Sequence, residues 1–231
     1  MLTKLARGTL SERAASQLVE FIQSEMHPGD VLPAEARLAE RLGVSRPIVR
    51  EALKSLQGQG IVEVMNGKGA VVRSLSNGIL TSYFSRAIQI NRASILELMD
   101  VRRGIEFESA RLAAQHRSAE QLEQMRSIVS QMQSAIDDPQ AYSQLDVQLH
   151  ILIAQASQNK VLVHLVESLR EALHEASLSG LQHRRTRGEL VRVQELHEML
   201  LHHIGNKDVK QAARTMALHM DEAIAALRHI G

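Results

Sequence analysis

Between residues 10 and 26 the chain runs LSERAASQLVEFIQSEM, with apolar residues three and four apart, the period of an amphipathic helix. HPGD follows as a turn, with Pro28 and Gly29 as breakers. PAEARLAERLG predicts a short second helix ended by Gly43. Ser45 then stands as an N-cap before SRPIVREALKSLQGQG, whose first turn holds Arg46 and Pro47. There the period changes. IVEVM and AVVRS are short β-branched runs joined by NGKG, a hairpin signal because Asn-Gly accepts positive φ. Helix, helix–turn–helix and hairpin in that order predict a winged helix–turn–helix. Beyond it the helical period is nearly continuous, over about 77–90, 94–116, 118–136, 139–157, 160–180, 187–205 and 207–229, punctuated by DDPQ, SQNK and IGNKD. The expected fold class is mostly α. Residues 1–74 form the winged helix–turn–helix and residues 75–231 an all-α helical bundle, with RSLSNG as the short link.

Composition narrows the function. Aromatic residues make up 2% of the chain and there is no Trp, so the core is aliphatic, which suits helix packing better than a β-sandwich. The same shortage argues against RNA or single-strand binders that stack bases on aromatic rings. A recognition helix in the major groove needs none. Without Cys there is no disulfide, thiolate zinc site or Cys nucleophile. The N-terminus lacks an apolar signal core and no stretch of about 20 residues is free of charge, so a cytoplasmic protein with no membrane partner is expected. The net charge of +1 hides an uneven spread. From Arg41 to Arg73 six Lys/Arg face two acids, giving +4, while ten of the eleven His lie beyond residue 115. A basic first part and a His-rich second part suggest two jobs.

The chemistry concentrates in LDVQLHILIAQASQN, residues 145–159. On a helical wheel Gln144, Gln148 and Gln155 share a solvated face, and Asp146 and His150 point the other way, beside Ile153 and Ser157. A buried carboxylate is costly unless paired or ligated. His197 lies in the middle of an apolar stripe with Leu190, Val193, Leu200, Leu201 and Ile204, whereas His202 and His203 fall off it. His219 is flanked by Ala212, Thr215, Met216 and Ala223, mostly small residues that leave room for something. One inward His is usually a hydrogen-bonded core residue. Three with an inward Asp suit a divalent transition metal, zinc first, with nickel or manganese as alternatives. Glu222, near His219, is the one general base in reach for a metalloenzyme, and it could equally pair with a basic residue. No Ser-His-Asp set, phosphate loop or dinucleotide fingerprint is present.

LPAEARLAERLGVSRPIVREALKSLQGQGIVEVMNGKGAVV resembles the DNA-binding half of the GntR family of bacterial transcription regulators. The later helices, with D-x-x-x-H and two further His, resemble the FCD effector domain of its FadR subfamily, and seven expected helices correspond to the longer FadR-type version. The resemblance implies a homodimer on two-fold symmetric operator DNA, with metal ligands at Asp146, His150, His197 and His219. It also implies a small organic or sugar acid as effector, gripped by a pocket arginine that matches Arg102. From the residues alone, Arg102 lies inward among Ile95, Leu98, Met99 and Ile105. There it can serve such a carboxylate bidentately or form a buried salt bridge with Glu106. HRRTRG, residues 183–188, reads as a basic loop.

For DNA, Arg46 and Arg50 share one face at the start of the recognition helix, and Ser45 with the helix N-terminus can bind phosphate. Lys68, with the Gly67 and Gly69 backbone, can take a wing tip into the minor groove. The family pattern P-x-E-R-x-L-A meets Pro33-Ala34-Glu35-Ala36-Arg37-Leu38-Ala39 here, so Ala36 stands where a DNA-contacting Arg is expected. The expected function is a transcription regulator, a repressor released by a carboxylate. A regulator that senses the metal itself is the alternative, and a DNA-tethered metalloenzyme comes third.

Overall fold

The computed structural model describes residues 9–65, 68–74, 77–91, 94–182 and 187–228; Gly67 and residues 183–186 of the basic loop lie outside them. The chain divides into two compact units, the first ending at Ile79 and the second beginning at Leu80.

In the first unit, α1 (Leu10–Glu25) starts at a reciprocal cap: Glu12 N–H donates to Thr9 Oγ1 and Thr9 N–H to the Glu12 carboxylate. α2 (Glu35–Leu42) ends on Gly43, whose φ of 63° is the left-handed cap that a glycine takes without a Cβ penalty. α3 (Arg46–Gly58) follows after a tight turn. β1 (Val62–Met65) and β2 (Gly69–Val72) pair antiparallel, with Met65 opposite Gly69. The segment after α1 does more than turn. Its Leu32 N–H donates to Ala70 O and its Gly29 N–H to Val72 O, laying residues 29–32 along the free edge of β2. Leu18, Leu38, Val49, Leu53, Leu56, Val62 and Val72 close the small core.

The second unit is helical throughout: α4 (Gly78–Ile90, which begins in the first unit), α5 (Ser94–His116), α6 (Ala119–Ser134), α7 (Pro139–Ala156), α8 (Lys160–Ser168), α9 (Arg170–Gln182), α10 (Arg187–Gly205) and α11 (Val209–Arg228). Punctuation carries the caps. Asp138 accepts from the Gln140 and Ala141 N–H groups to start α7, and Asn159 caps α8 in the same way. Long, unbranched Met side chains fill the aliphatic core where aromatics are missing: Met99, Met125, Met132, Met216 and Met220 are all buried.

The pattern over residues 160–180 predicts one helix, and the structure breaks it at Leu169. That residue, with Val166, packs on Ala154, while Ala176 and Leu181 beyond it belong to the main core. Ser168 Oγ also donates back to Leu165 O at 2.7 Å, bonding that competes with a regular helix. The apolar stripe changes partners, so the axis breaks, and the described part after residue 76 has eight helices in place of the expected seven. α5 packs along α11, α10 against α11 and α6, and α7 against α5, α6, α8 and α9. Thus α5, α7, α10 and α11 bring their inner faces together.

Candidate functional site

Those inner faces hold the site. Asp146 and His150 are one turn apart on α7, His197 projects from α10 and His219 from α11. Each offers one ligand atom, and the four atoms all lie within 4.8 Å of one another. His150 Nε2 is 3.3 Å from His219 Nε2, and Asp146 Oδ1 is 3.1 Å from His197 Nε2 and 3.7 Å from His150 Nε2. His150 and His197 are fully buried, and Asp146 and His219 nearly so.

The arrangement fits a cation. Donors around one tetrahedral ion with bonds of about 2.0–2.1 Å stand roughly 3.3–3.4 Å apart, close to the spacings seen. Asp146 Oδ1 and His197 Nε2 approach closely without hydrogen-bond alignment, and neither finds another hydrogen-bond partner. Two buried polar atoms that close to 3.1 Å with no hydrogen bond match a shared ligand better than a packed core. The electrostatics agree. Burial pushes the Asp146 carboxyl up, but contact with His197 and the fields of His150, His197 and His219 outweigh it, and the group is held well below the usual carboxylate range. Burial drives His219 well down, and His197 and His150 push the same way against Asp146, so its ring stays neutral with a lone pair to give.

Around this cluster lies a shell that the helical wheel does not show. Glu106 on α5 is fully buried between two partners: Arg102 Nε donates to its Oε1 at 3.1 Å, and its Oε2 is 3.0 Å from His150 Nδ1. Burial raises the Glu106 carboxyl, and His150 and Arg102 together bring it below its ordinary value. On the other side Tyr142 Oη is 3.1 Å from His197 Nδ1 and 3.1 Å from Gln194 Oε1. Both rings thus turn Nε2 to the centre, with Nδ1 beside Glu106 in His150 and beside Tyr142 in His197.

The two readings of Arg102 turn out to be compatible. The salt bridge to Glu106 uses Nε, and Nη1 meets Met99 Sδ at 3.9 Å, yet the buried Nη2 has no hydrogen-bond partner. Arg102 lines a cavity of about 40 Å³ together with Asp146, His219, Ser177 and Glu222; the other lining residues are apolar or glycine. Where about 10–15 Å³ holds one water, that is room for roughly three waters or a group of similar size. Glu222 pairs with Arg192, whose Nε and Nη2 are 3.3 Å from Glu222 Oε1. His202 is exposed on α10, bonded to Asn206, and is not one of the four clustered residues.

In the first unit, Arg46 and Arg50 are exposed on the N-terminal turns of α3. Ser45 is at the N-cap position, but its hydroxyl makes no bond to the helix. Arg50 forms a two-pronged ion pair with Glu35, the first residue of α2, at 2.8 and 3.2 Å. Lys68 is exposed at the hairpin turn, and Ala36 is exposed on α2.

Comparison with known proteins decides the family. The profile for bacterial regulatory proteins of the gntR family matches residues 10–72, and the FCD domain profile matches residues 97–222. The chain belongs to the GntR family. It is a DNA-binding transcription regulator with an FCD domain, and its relatives are regulators and not enzymes. The HTH-type transcriptional regulator LutR of Bacillus subtilis is 30% identical over 85% of this chain and 90% of its own. The Glc operon transcriptional activator of Escherichia coli is 34% identical over 71% of this chain and 68% of its own. The Galactonate operon transcriptional repressor of Escherichia coli is 28% identical over 85% and 88%. A GntR structure from Streptococcus agalactiae shares the fold, with a TM-score of 0.68 at 24% identity, covering 93% of this chain and 99% of that one. No helix among the described residues is long and apolar enough to cross a membrane.

Proposed function

We propose that this regulator is a repressor whose hold on operator DNA is set by a small carboxylate bound beside a metal ion in the FCD domain. Asp146, His150, His197 and His219 hold the ion, zinc first and nickel or manganese as alternatives. When bound, the ion supplies a Lewis-acidic anchor for carboxylate or hydroxyl oxygens. Arg102 supplies the second grip. One observation carries this reading: Arg102, whose buried Nη2 has no hydrogen-bond partner, lines the same cavity as Asp146 and His219. A cationic donor left open beside a metal-type cluster suits an anion with two attachment points.

On the DNA side, Ser45, Arg46, Arg50, Gly67 and Lys68 make the contacts, from a winged helix–turn–helix over residues 1–74, while residues 75–231 receive metal and effector. The working form is a homodimer on a two-fold operator in the cytoplasm. Relatives named for operons, the Glc activator and the Galactonate repressor among them, support control of an operon. The donor chemistry of the cluster also favours a second reading, in which the metal is itself the signal.

Fluorescence anisotropy of operator DNA separates the two. With free zinc buffered at a constant level, adding a binding carboxylic acid releases the DNA and dialysing the acid away restores the complex. Release that follows zinc alone, with no acid producing it, would replace the first reading with the second.

A further inference from the structure

A neutral imidazole carries one N–H, so His197 can offer a lone pair through Nε2 only while its proton sits on Nδ1. The surroundings of that proton can be followed bond by bond. Gln194 Nε2 donates to Val129 O at 3.2 Å and to Glu198 Oε1 at 2.9 Å. A carbonyl and a carboxylate can only accept, so the amide nitrogen must face them and the amide oxygen must face Tyr142. An amide oxygen can only accept in its turn. The Tyr142 hydroxyl, 3.1 Å away, therefore gives its single proton to Gln194 and keeps a lone pair toward His197 Nδ1, also at 3.1 Å. The chain of donors runs one way, from His197 through Tyr142 and Gln194 to α6 and Glu198. Tyr142 and Gln194 are each 2% exposed and His197 0%, so bulk water has no access to reverse it.

We infer that Tyr142 and Gln194 are positioning residues that fix the tautomer of His197 and so set metal affinity from outside the ligand shell. The inference rests on the metal reading of the cluster. Its distinctive consequence lies in what happens when Gln194 is removed and Tyr142 kept. The hydroxyl then has His197 Nδ1 to turn to, and the ring proton moves to Nε2. That nitrogen is the one that faces the cluster, 3.1 Å from Asp146 Oδ1. Zinc must now expel that proton. Removing the hydroxyl as well takes the misdirected donor away.

The test is zinc affinity by competition with a chromophoric chelator, on the full chain. Tyr142→Phe should loosen zinc about tenfold and Gln194→Met about a hundredfold, the span typical of second-sphere partners of metal-bound His. The double variant should recover to the level of Tyr142→Phe. Residues with only a packing role would give losses that accumulate, so a double variant weaker than either single one overturns the inference. So does Tyr142→Phe with unchanged or tighter zinc binding. A further measurement needs no variant: zinc-loaded wild type should show a slowly exchanging imidazole proton on Nδ1 of His197 with a through-space cross-peak to the Tyr142 ring, and its absence is equally decisive. Wild type that takes up no zinc refutes the metal reading, and this inference with it; zinc-binding wild type with accumulating losses refutes this inference alone.

Discussion

Replacing Arg102 probes both halves of its environment at once. The side chain is 3% exposed and Glu106 is 0% exposed, so Arg102→Ala strips a buried carboxylate of its guanidinium partner. Breaking a buried pair from one side costs about 3–5 kcal/mol. Here the lower part of that range applies, because His150 Nδ1 remains 3.0 Å from Glu106. Nη2 is a separate matter. If it meets an effector carboxylate, its loss removes a charge-assisted hydrogen bond of roughly 1.5–3 kcal/mol, about 10- to 150-fold in Kd. Since Glu106 ties Arg102 to His150, the alanine variant should also loosen the metal, so it cannot separate the two roles. Arg102→Lys can. An ammonium keeps a positive charge opposite Glu106 but cannot reproduce the planar fork, so stability should largely return while effector affinity stays low. Melting curves and calorimetric titration of an organic acid, both on zinc-loaded protein, give the two numbers. If either variant loses stability yet binds the acid as tightly as wild type, Arg102 serves Glu106 alone and the effector reading of Nη2 is wrong.

His197→Ala should lose most of its metal by elemental analysis and melt earlier, whereas exposed His202→Ala should match wild type; equal metal in both would remove His197 from the site. Arg50→Ala should weaken operator binding by more than about 1 kcal/mol and flatten its salt dependence, and Glu35→Gln, which frees Arg50 from its ion pair, should tighten binding in the same titration. Ala36→Arg should tighten it too, since that position is exposed on α2; an unchanged affinity would mean the operator is read without that contact.

The inward set of Asp146, His150, His197 and His219 was legible because each side chain shares a stripe with apolar neighbours three and four residues away, and local periodicity fixes which way a helical residue faces. Periodicity says nothing of what meets it from another helix. Glu106 could be linked to Arg102, four residues earlier, but its contact with His150 crosses from α5 to α7. The Glu35–Arg50 pair joins two helices and was invisible for the same reason. Tyr142 and Gln194 did leave a trace. Tyr142 is one turn before Asp146, and Gln194 is an amide inside the apolar stripe of His197, a placement that asks for a buried partner. The break at Leu169 left none, because both halves of residues 160–180 keep the helical period and only the partner of the stripe changes.

The scarcity of aromatic side chains has a spectroscopic consequence. With no Trp and only two Tyr, ultraviolet emission from this protein is tyrosine emission. Tyr83, 67% exposed on α4, sits in solvent, while Tyr142 is buried with its hydroxyl against the His197 imidazole of the cluster. One phenol is a bystander and the other is wired to the centre. The unmodified chain therefore carries its own optical reporter, and Tyr142→Phe identifies which share of the signal comes from the site.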